Sequence, residues 1–113
     1  MSDCIFCKIG RKEIPARIVY EDSDIFAFED VHPQAPMHLL VCPRKHLSSL
    51  GDATDEDADL LGRILLTGSK LASERGYGMG HRALFNTGEE AGQTVFHLHL
   101  HVLGGRPMHW PPG

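Results

Sequence analysis

The heptapeptide HLHLHVL, residues 97–103, alternates between imidazole and aliphatic side chains. Successive side chains of a β-strand point to opposite faces of a sheet, so a strand over residues 95–103 would place its histidines on one face. The histidines that share this face are His97, His99 and His101. The aliphatic face predicts a strand that packs against the core beneath a helix, and the histidine face predicts a site for chemistry.

Three imidazoles in a row fit three kinds of site: a set of structural histidines, a zinc site or a nucleophilic centre. The outer two Cα atoms of a straight strand would lie about 13 Å apart, which disfavours one zinc ion that needs every ring nitrogen at about 2.0–2.1 Å. Neutral imidazole, with a pKa near ~6.5, can attack phosphorus and form a covalent phospho-histidine. The glycine-rich segment 87–94 precedes the strand and can bring backbone N–H groups to a phosphate. We therefore favour a nucleophilic centre that attacks phosphorus.

The length and charge of the chain argue against several classes of protein. The 113 residues have the size of one domain. Lysine and arginine number 11 against 15 aspartates and glutamates, a formal net charge of −4, which argues against nucleic-acid or membrane-surface binding by charge neutralisation. The sequence shows neither a leader-peptide pattern nor an apolar run near the ~20 residues of a membrane helix. We expect a single domain over residues 1–113, located in the cytoplasm, with no nucleic-acid or membrane partner.

The hydrophobic pattern predicts an α+β fold with one long and one short helix. Apolar residues recur at helical spacing over residues 55–75, and Thr54 with Asp57 predicts a capping box at the start of this helix. A short helix is predicted over residues 4–11. The predicted strands cover residues 17–21, 24–28, 38–42, 82–86 and 95–103.

The histidine strand and several other segments resemble the histidine triad (HIT) family. Residues 97–103 match its signature, His-φ-His-φ-His-φ-φ, in which φ is an apolar residue. Further segments are similar to the Hint branch of the family, namely residues 30–38, 43–46, 86, 92–94 and 104–113. The resemblance extends over nearly the whole chain.

The resemblance implies a HIT-like fold, in which a five-stranded antiparallel sheet with one long and one short helix pairs into a homodimer. It implies a purine nucleoside phosphoramidase, which cleaves the P–N bond of adenosine or guanosine 5′-phosphoramidates and hydrolyses aminoacyl-adenylate-like mixed anhydrides. The reaction would pass through a nucleotidyl group on His99 and would need no metal. An extended tail, about residues 104–113, would reach the active-site mouth of the partner. Its Trp110 would dock there or on its own domain.

The site residues follow from the positions that match the motifs of the family. His99 resembles the nucleophile, His101 the histidine that contacts the α-phosphate, and His38 a partner that supports the catalytic imidazole. The phosphate side of the nucleotide site is matched by Asn86, Gly92, Gln93 and Thr94. The ribose and base side is matched by Asp30 and Val31, with Phe6, Ile9 and Phe28 forming the purine slot.

Three of these residues also have simpler structural interpretations. Asp30 would cap a turn before Pro33, His38 would be a hydrogen-bonded core residue, and Asn86 would end its strand. The residues alone favour these structural roles. The resemblance favours the functional role in each case.

The cysteines form a separate pattern. Three cysteines, an odd number, indicate reduced thiols or a metal site rather than a disulfide framework. Cys4 and Cys7 form a C-x-x-C pair, and Cys42 lies in an apolar run that indicates a core residue. The resemblance implies a structural zinc ion in some family members, at the positions of Cys4, Cys7, His46 and His97. A zinc site and a pair of reduced thiols both remain open at this point.

Two other functions are compatible with the same residues. A nucleotide-binding interaction module would hold a purine nucleoside monophosphate with little turnover. A zinc enzyme would use the triad histidines as metal ligands, and chelation would abolish its activity. Efficient turnover of a phosphoramidate argues against the first, and activity that survives chelation argues against the second.

Overall fold

The structure, a computed structural model that describes residues 4–113, contains five strands and two helices. The strands are β1 (Ile18–Glu21), β2 (Ile25–Glu29), β3 (Met37–Pro43), β4 (His81–Phe85) and β5 (Leu100–Gly104). The helices are α1 (Ile5–Gly10) and α2 (Ala58–Glu74). The predicted α+β class, with a five-stranded antiparallel sheet and one long and one short helix, is confirmed. Residues 1–3, which contribute to the expectation of no leader peptide, lie outside the described residues.

The sheet has the order β1-β2-β3-β5-β4, and all neighbouring strands are antiparallel. The central strand β3 is buried at every position, because both faces of the sheet are covered. On one face α2 approaches closely at Gly68, where a Cβ would lie 3.0 Å from side-chain atoms of both Leu100 and Val102. The predicted apolar face is buried in this layer, where Leu98 joins Leu100 and Val102 in the cluster that contains Ile64 of α2.

The opposite face of the sheet carries α1 and a second apolar cluster. Its buried members are Phe6, Ile9, Phe26, Phe28, Leu40 and Cys42. Cys42 has no exposed surface, which confirms its prediction as a core residue. Because Leu40 of β3 pairs with His101 of β5, the histidine face of β5 lies on this side of the sheet. The site is therefore assembled on the α1 side, and α2 supports the sheet from behind.

The long helix begins at the predicted capping box. The Thr54 hydroxyl accepts a hydrogen bond from the Glu56 N–H at 3.3 Å, and the Asp57 carboxylate accepts one from the Thr54 N–H at 2.9 Å. The helix predicted over residues 55–75 is present, but its first three residues, Asp55–Asp57, form a 3-10 turn before α2. Neither α2 nor any other helix within residues 4–113 has both the length and the apolar character needed to cross a membrane.

The last strand is shorter than the sequence predicts. The pattern predicts a strand over residues 95–103, but β5 begins only at Leu100. Its ladder partner β3 ends at Pro43, which has no N–H to donate. The residues before β5 use other partners, and the Leu98 N–H donates to the Leu47 carbonyl at 2.7 Å. The first two histidines of the heptapeptide therefore lie on an irregular approach to the strand.

The C-terminal tail begins at Gly105, since Gly104, which the sequence places in the tail, is the last residue of β5. A hydrogen bond of 3.0 Å from Arg82 to the His109 carbonyl connects the tail to β4. Trp110 is nevertheless 82% exposed. Its own domain therefore does not provide the docking site for this side chain.

Candidate active site

A cavity of about 410 Å³ lies on the α1 side of the sheet. This volume falls within the range of about 300–1,000 Å³ that is usual for small-molecule sites. All the residues predicted to bind a nucleotide line it, with the exception of Gln93. The lining residues among them are Asp30, Val31, Asn86, Gly92, Thr94, His99 and His101.

Most of the cavity lining is apolar. The residues predicted for the purine slot all contribute to it: Phe6, Ile9, Phe28 and Val31. Further apolar side chains come from α1 and from the segment before β1, namely Ile5, Ile14, Pro15 and Ala16. Val31 itself is 81% exposed, so it stands at the rim. A planar apolar group of a ligand would lose its contacts with water against these side chains, which favours binding.

His99 lines the cavity, and a backbone carbonyl fixes its tautomer. Nδ1 lies 2.7 Å from the carbonyl oxygen of His97. A carbonyl can only accept, so Nδ1 carries the proton and donates, and the lone pair of the neutral ring is on Nε2. The ring of Phe6 packs edge-on against the imidazole, with 5.0 Å between centroids, and restricts its rotation. His99 therefore lines the cavity with a free lone pair on Nε2.

A second chain of hydrogen bonds fixes the protons of His38 and His101. The Gln34 N–H donates to Nδ1 of His38 at 2.9 Å, so the proton of neutral His38 must be on Nε2. This Nε2–H donates to Nδ1 of His101 across 2.9 Å, and the proton of neutral His101 is then on its own Nε2. We call the Gln34 N–H, His38 and His101 the imidazole relay. The relay ends in a hydrogen-bond donor at the cavity, and the sequence gives no sign of the backbone group that sets it.

Burial keeps these imidazoles neutral near pH 7. Removal from water lowers the pKa of His38, His99 and His101 below the ordinary histidine value, and for His101 to about 4. The Asp30 carboxylate opposes this decrease at all three rings without reversing it. The neutral state is the one that the tautomers require, because a protonated ring has no lone pair to accept a hydrogen bond.

Asp30 makes the turn contact expected of a structural residue and also lines the cavity, as expected of a binding residue. One carboxylate oxygen accepts a hydrogen bond of 2.8 Å from the His32 N–H, which is the local turn expected before Pro33. The other oxygen lies 3.4 Å from Nε2 of His38, and the side chain lines the cavity. A carboxylate has further acceptor sites, so Asp30 can also receive hydroxyl groups of a ligand.

Asn86 and Gly92 bring neutral polar groups to the cavity, the first from the end of β4 and the second from the glycine-rich segment. Asn86 directly follows the last residue of β4, so it both ends the strand and lines the cavity. Gly92 has a φ of 92°, the left-handed region that favours glycine. This conformation turns the chain so that Gly92 and Thr94 both line the cavity.

The structure places Gln93 behind the cavity lining rather than in it. The side chain is 3% exposed. Its amide oxygen accepts from the Gly88 N–H at 2.8 Å, and its amide nitrogen donates to the carbonyls of Ser48 at 2.7 Å and Val95 at 3.1 Å. With these bonds the amide has no group directed at a ligand. Gln93 therefore shapes the glycine-rich segment from within, and its phosphate contact stays a prediction.

Four side chains beside α1 have the geometry of a zinc site. Their ligand atoms, Sγ of Cys4 and Cys7 and Nδ1 of His46 and His97, lie within 4.8 Å of one another. The separations are 3.4 Å for Cys4–His97, 3.4 Å for Cys7–His46, 3.5 Å for Cys7–His97 and 3.2 Å for His46–His97. A tetrahedral ion with Zn–S of about 2.3 Å and Zn–N of about 2.0–2.1 Å needs sulfur–nitrogen edges near ~3.5 Å and nitrogen–nitrogen edges near ~3.3 Å. The residues therefore fit zinc.

His97 connects this group to His99. Its Nε2–H donates to the Pro43 carbonyl at 2.8 Å, so the lone pair is on Nδ1, where a metal ion would bind. The backbone carbonyl of the same residue accepts the Nδ1–H of His99. The side chain of His97 thus belongs to the cysteine group, and its backbone orients His99.

The three triad histidines do not form one metal site. Within the described part of the chain, His97 groups with the cysteines, His101 groups with His38 and a carboxylate, and His99 belongs to neither group. The second group is poorly suited to an ion, because the Gln34 N–H holds the proton of His38 on Nε2 and leaves no lone pair there. The geometry does not support the interpretation of the histidines as ligands of a shared zinc ion.

Comparison with known proteins agrees with this fold. Residues 3–110 match the family described as "Scavenger mRNA decapping enzyme C-term binding". An uncharacterized HIT-like protein from Synechocystis sp. is 58% identical over 111 residues, which cover 98% of this chain and 97% of the relative. The similarity therefore spans both chains from end to end.

Solved structures show the same agreement. A HIT family hydrolase from Legionella pneumophila has a TM-score of 0.96 and 52% identity, and the match covers 98% of this chain and 100% of the other. A histidine triad protein from Clostridium difficile has a TM-score of 0.92 and 44% identity, with 96% of each chain covered. The likeness extends to sequence and fold together.

We predict that Gln93→Glu lowers the free energy of unfolding by about 2–3 kcal/mol, because a buried carboxylate oxygen would face the Ser48 and Val95 carbonyls with no proton to donate. Chemical denaturation measures this change. Gln34→Glu is the matched control, since that amide is exposed, and its effect should stay within about 0.5 kcal/mol. Equal losses of stability in the two variants would contradict the role assigned to Gln93.

Proposed function

The chain belongs to the histidine triad (HIT) family, and we propose that it is a hydrolase that cleaves the P–N bond of purine nucleoside 5′-phosphoramidates. The same site would hydrolyse aminoacyl-adenylate-like mixed anhydrides. One observation carries this proposal. The buried neutral imidazole of His99 has its lone pair on Nε2 at a cavity where His101 supplies a hydrogen-bond donor. Hydrolysis as the reaction type is supported by relatives named HIT family hydrolase.

In the proposed reaction, Nε2 of His99 attacks the α-phosphorus. The P–N bond of the substrate breaks, its electron pair stays with the leaving nitrogen, and the nucleotidyl group is held on the imidazole. The bond from Nδ1–H to the His97 carbonyl stabilises the positive charge that develops on the ring. Water then attacks the same phosphorus and restores His99. Over both steps the water oxygen ends on phosphorus and the released amine gains a proton.

The imidazole relay supports this chemistry at the phosphoryl oxygens. It leaves the proton of neutral His101 on Nε2, so this atom can donate to an oxygen of the α-phosphate. A donor that is fixed before the reaction stabilises the charge that builds on the phosphoryl group without reorganisation. Asn86 and Thr94 add neutral polar groups that can act in the same way. His38 lies behind His101, outside the lining, and holds it in the donor state.

The charge of the lining favours substrates with a single phosphoryl group. Among the described residues that line the cavity, none is a lysine or an arginine. Polyphosphates bring several negative charges, which proteins usually meet with arginine, lysine or Mg²⁺. A nucleoside phosphoramidate carries one charged phosphoryl group, which neutral donors can accommodate. This difference supports monophosphate derivatives over dinucleoside polyphosphates.

The rest of the cavity supports a purine nucleoside. The Asp30 carboxylate can accept hydrogen bonds from both vicinal hydroxyls of a ribose. Phe6, Ile9 and Phe28 offer apolar surface for the faces of a purine ring. Contacts of this kind fit adenine and guanine alike, so we propose both adenosine and guanosine phosphoramidates as substrates.

We expect a short-lived nucleotidyl adduct on His99. Wild-type protein that is mixed with adenosine 5′-phosphoramidate and quenched rapidly should gain the mass of one adenylyl group in intact-protein mass spectrometry. His99→Ala should show no adduct, and its turnover should fall on the order of 10⁴-fold or more. His81→Ala removes an imidazole on β4 outside the cavity and should retain both the adduct and the turnover.

Turnover that survives in His99→Ala would exclude nucleophilic catalysis by this residue. Wild-type protein that binds adenosine monophosphate but releases no amine from the phosphoramidate would favour the nucleotide-binding interaction module. If chelation abolishes hydrolysis, the result would favour the zinc enzyme.

We also propose that Cys4, Cys7, His46 and His97 hold a structural zinc ion. All four ligands would be protein side chains, so no position is left for water or substrate. The ion would supply a crosslink between α1, the segment after β3 and the approach to β5. His97 would then be fixed at its side chain, and its carbonyl would hold His99 in a constant orientation.

We predict one zinc ion per chain and its loss in His46→Ala. Zinc at 100 times its Kd stabilises a folded protein by about 2.7 kcal/mol. His46→Ala and chelation should both remove this stabilisation, and thermal denaturation measures the loss. The control is His109→Ala, which removes another exposed histidine and should keep the metal and the Tm. Metal-supplemented protein that contains no zinc, and that unfolds identically with and without chelator, would contradict the assignment.

We further propose that the chain forms a homodimer. Several large apolar side chains remain exposed on the single chain, among them Leu66 at 62% and Trp110 at 82%. β4 lies at one edge of the sheet, and the tail runs beside it. A second copy would remove this surface from water.

The full chain should elute as a dimer in size-exclusion chromatography, and the chain ending at Gly105 should elute at a lower mass. If both proteins elute with the mass of one chain, the result would contradict the proposal.

A further inference from the structure

The loop between β2 and β3 sets the imidazole relay, and the C-terminal tail holds this loop from outside. We call residues 31–36 the relay loop. Gln34, at its outer turn, has a partner on each side. Its N–H donates to Nδ1 of His38 at 2.9 Å, and its carbonyl accepts from Nε of Arg106 at 2.8 Å. The backbone of one residue therefore connects the relay to the tail.

The start of the tail packs directly against the relay loop. Gly104 pairs with Met37 at the end of the sheet, so the tail leaves β5 directly beside the loop. The next residue, Gly105, has a φ of +99°, and a Cβ there would lie 2.8 Å from Cβ of Pro36. Such an approach is possible only for glycine. This contact of Gly105 with the Pro36 ring and the Arg106 hydrogen bond together form a continuous brace along the relay loop.

We propose that Arg106 is a positioning residue for the hydrolysis, a role whose kinetic part rests on the proposed function. It holds the carbonyl of Gln34 and thereby places the N–H of the same residue, which selects the Nε2–H tautomer of His38 and, through it, the donor state of His101. Arg106 lies outside the cavity lining, so it acts on the reaction only through these groups.

Two groups favour the Nε2–H tautomer of His38: the Gln34 N–H, 2.9 Å from Nδ1, and the Asp30 carboxylate, 3.4 Å from Nε2. If the relay loop moves by about an ångström, Nδ1 of His38 loses its shorter contact, the preference for the Nε2–H tautomer falls, and the second tautomer gains population. In the second tautomer, Nε2 of His38 has no proton to donate. His101 would then carry its proton on Nδ1 and would present a lone pair to the phosphoryl oxygen, which is repulsive.

The positive charge of Arg106 acts in the same direction as its hydrogen bond. Burial lowers the pKa of His38 most strongly, and Arg106 and His99 lower it further, while Asp30 raises it. His101 faces the same ring through its Nδ1. A neutral His38 is required here, because a protonated ring could not accept from the Gln34 N–H.

The test compares Arg106→Ala with Arg82→Ala. Arg82 is the matched control, because it also donates to a tail carbonyl, that of His109 at 3.0 Å, which lies outside the relay loop. Long-range proton–nitrogen NMR spectra of the imidazoles report which ring nitrogen carries the proton. Wild type and Arg82→Ala should show the Nε2–H tautomer at His38 and His101, and Arg106→Ala should show a mixture.

Kinetics provide the second readout. With adenosine 5′-phosphoramidate as substrate, Arg106→Ala should lower kcat by about 10- to 100-fold, as expected for a misaligned catalytic donor. KM should change little, because the side chain does not line the cavity. Arg106 is exposed, so the core should remain intact. Arg106→Met keeps the aliphatic stem and replaces the alanine variant if that protein is unstable.

The tautomers decide the outcome. If both rings of Arg106→Ala keep the Nε2–H tautomer, the proposal is wrong, and a loss of activity would then reflect a merely structural effect. If Arg82→Ala shifts the tautomers equally, the brace is not specific to Arg106 and the proposal also fails. If the wild type does not hydrolyse the phosphoramidate, the proposed function fails, but a tautomer mixture confined to the Arg106 variant still supports the positioning role.

Discussion

The hydrogen bond from His99 to the carbonyl of His97 connects the two halves of this site. In a regular strand that carbonyl would be directed toward a neighbouring strand and used in the ladder. Here β5 begins only at Leu100, so the carbonyl can accept from a side chain. The irregular approach to the strand therefore fixes the tautomer of His99. The side chain of His97 is at the same time held by Pro43 and by the neighbouring cysteine group.

Much of the fold could be predicted from the sequence because side chains alternate between the two faces of the sheet even before Leu100, where the hydrogen-bond ladder of β5 has not yet begun. Leu98 lies outside β5 but still packs with the α2 layer, as its spacing predicts. The end of the ladder could not be predicted from the heptapeptide, because it depends on Pro43 in another strand. The start of the long helix could be predicted well, since Thr54 and Asp57 form a capping box that involves only neighbouring residues.

The candidate site could be predicted at the level of side chains but not at the level of protons. The lining matches the motifs of the family because those motifs are side-chain patterns. The direction of the imidazole relay depends on the Gln34 N–H, a group that every residue except proline possesses, so no pattern reveals it. Gln93 shows the same limit. A polar residue in a glycine-rich segment can contact a ligand or shape the loop, and only the packing around it distinguishes the two roles.

The described cavity lining contains the Asp30 carboxylate but no lysine or arginine, and this has a consequence for how an anion reaches the cavity. Electrostatic steering requires a patch of opposite charge at the mouth of a site, and this chain has a formal net charge of −4. An anionic ligand is therefore opposed by the long-range field rather than guided by it. Added salt, with a Debye length of about 10 Å at ~0.1 M, would screen this opposition and speed the encounter. Once inside, the phosphoryl group would meet neutral hydrogen-bond donors rather than cations, so the attraction that holds it would depend little on ionic strength.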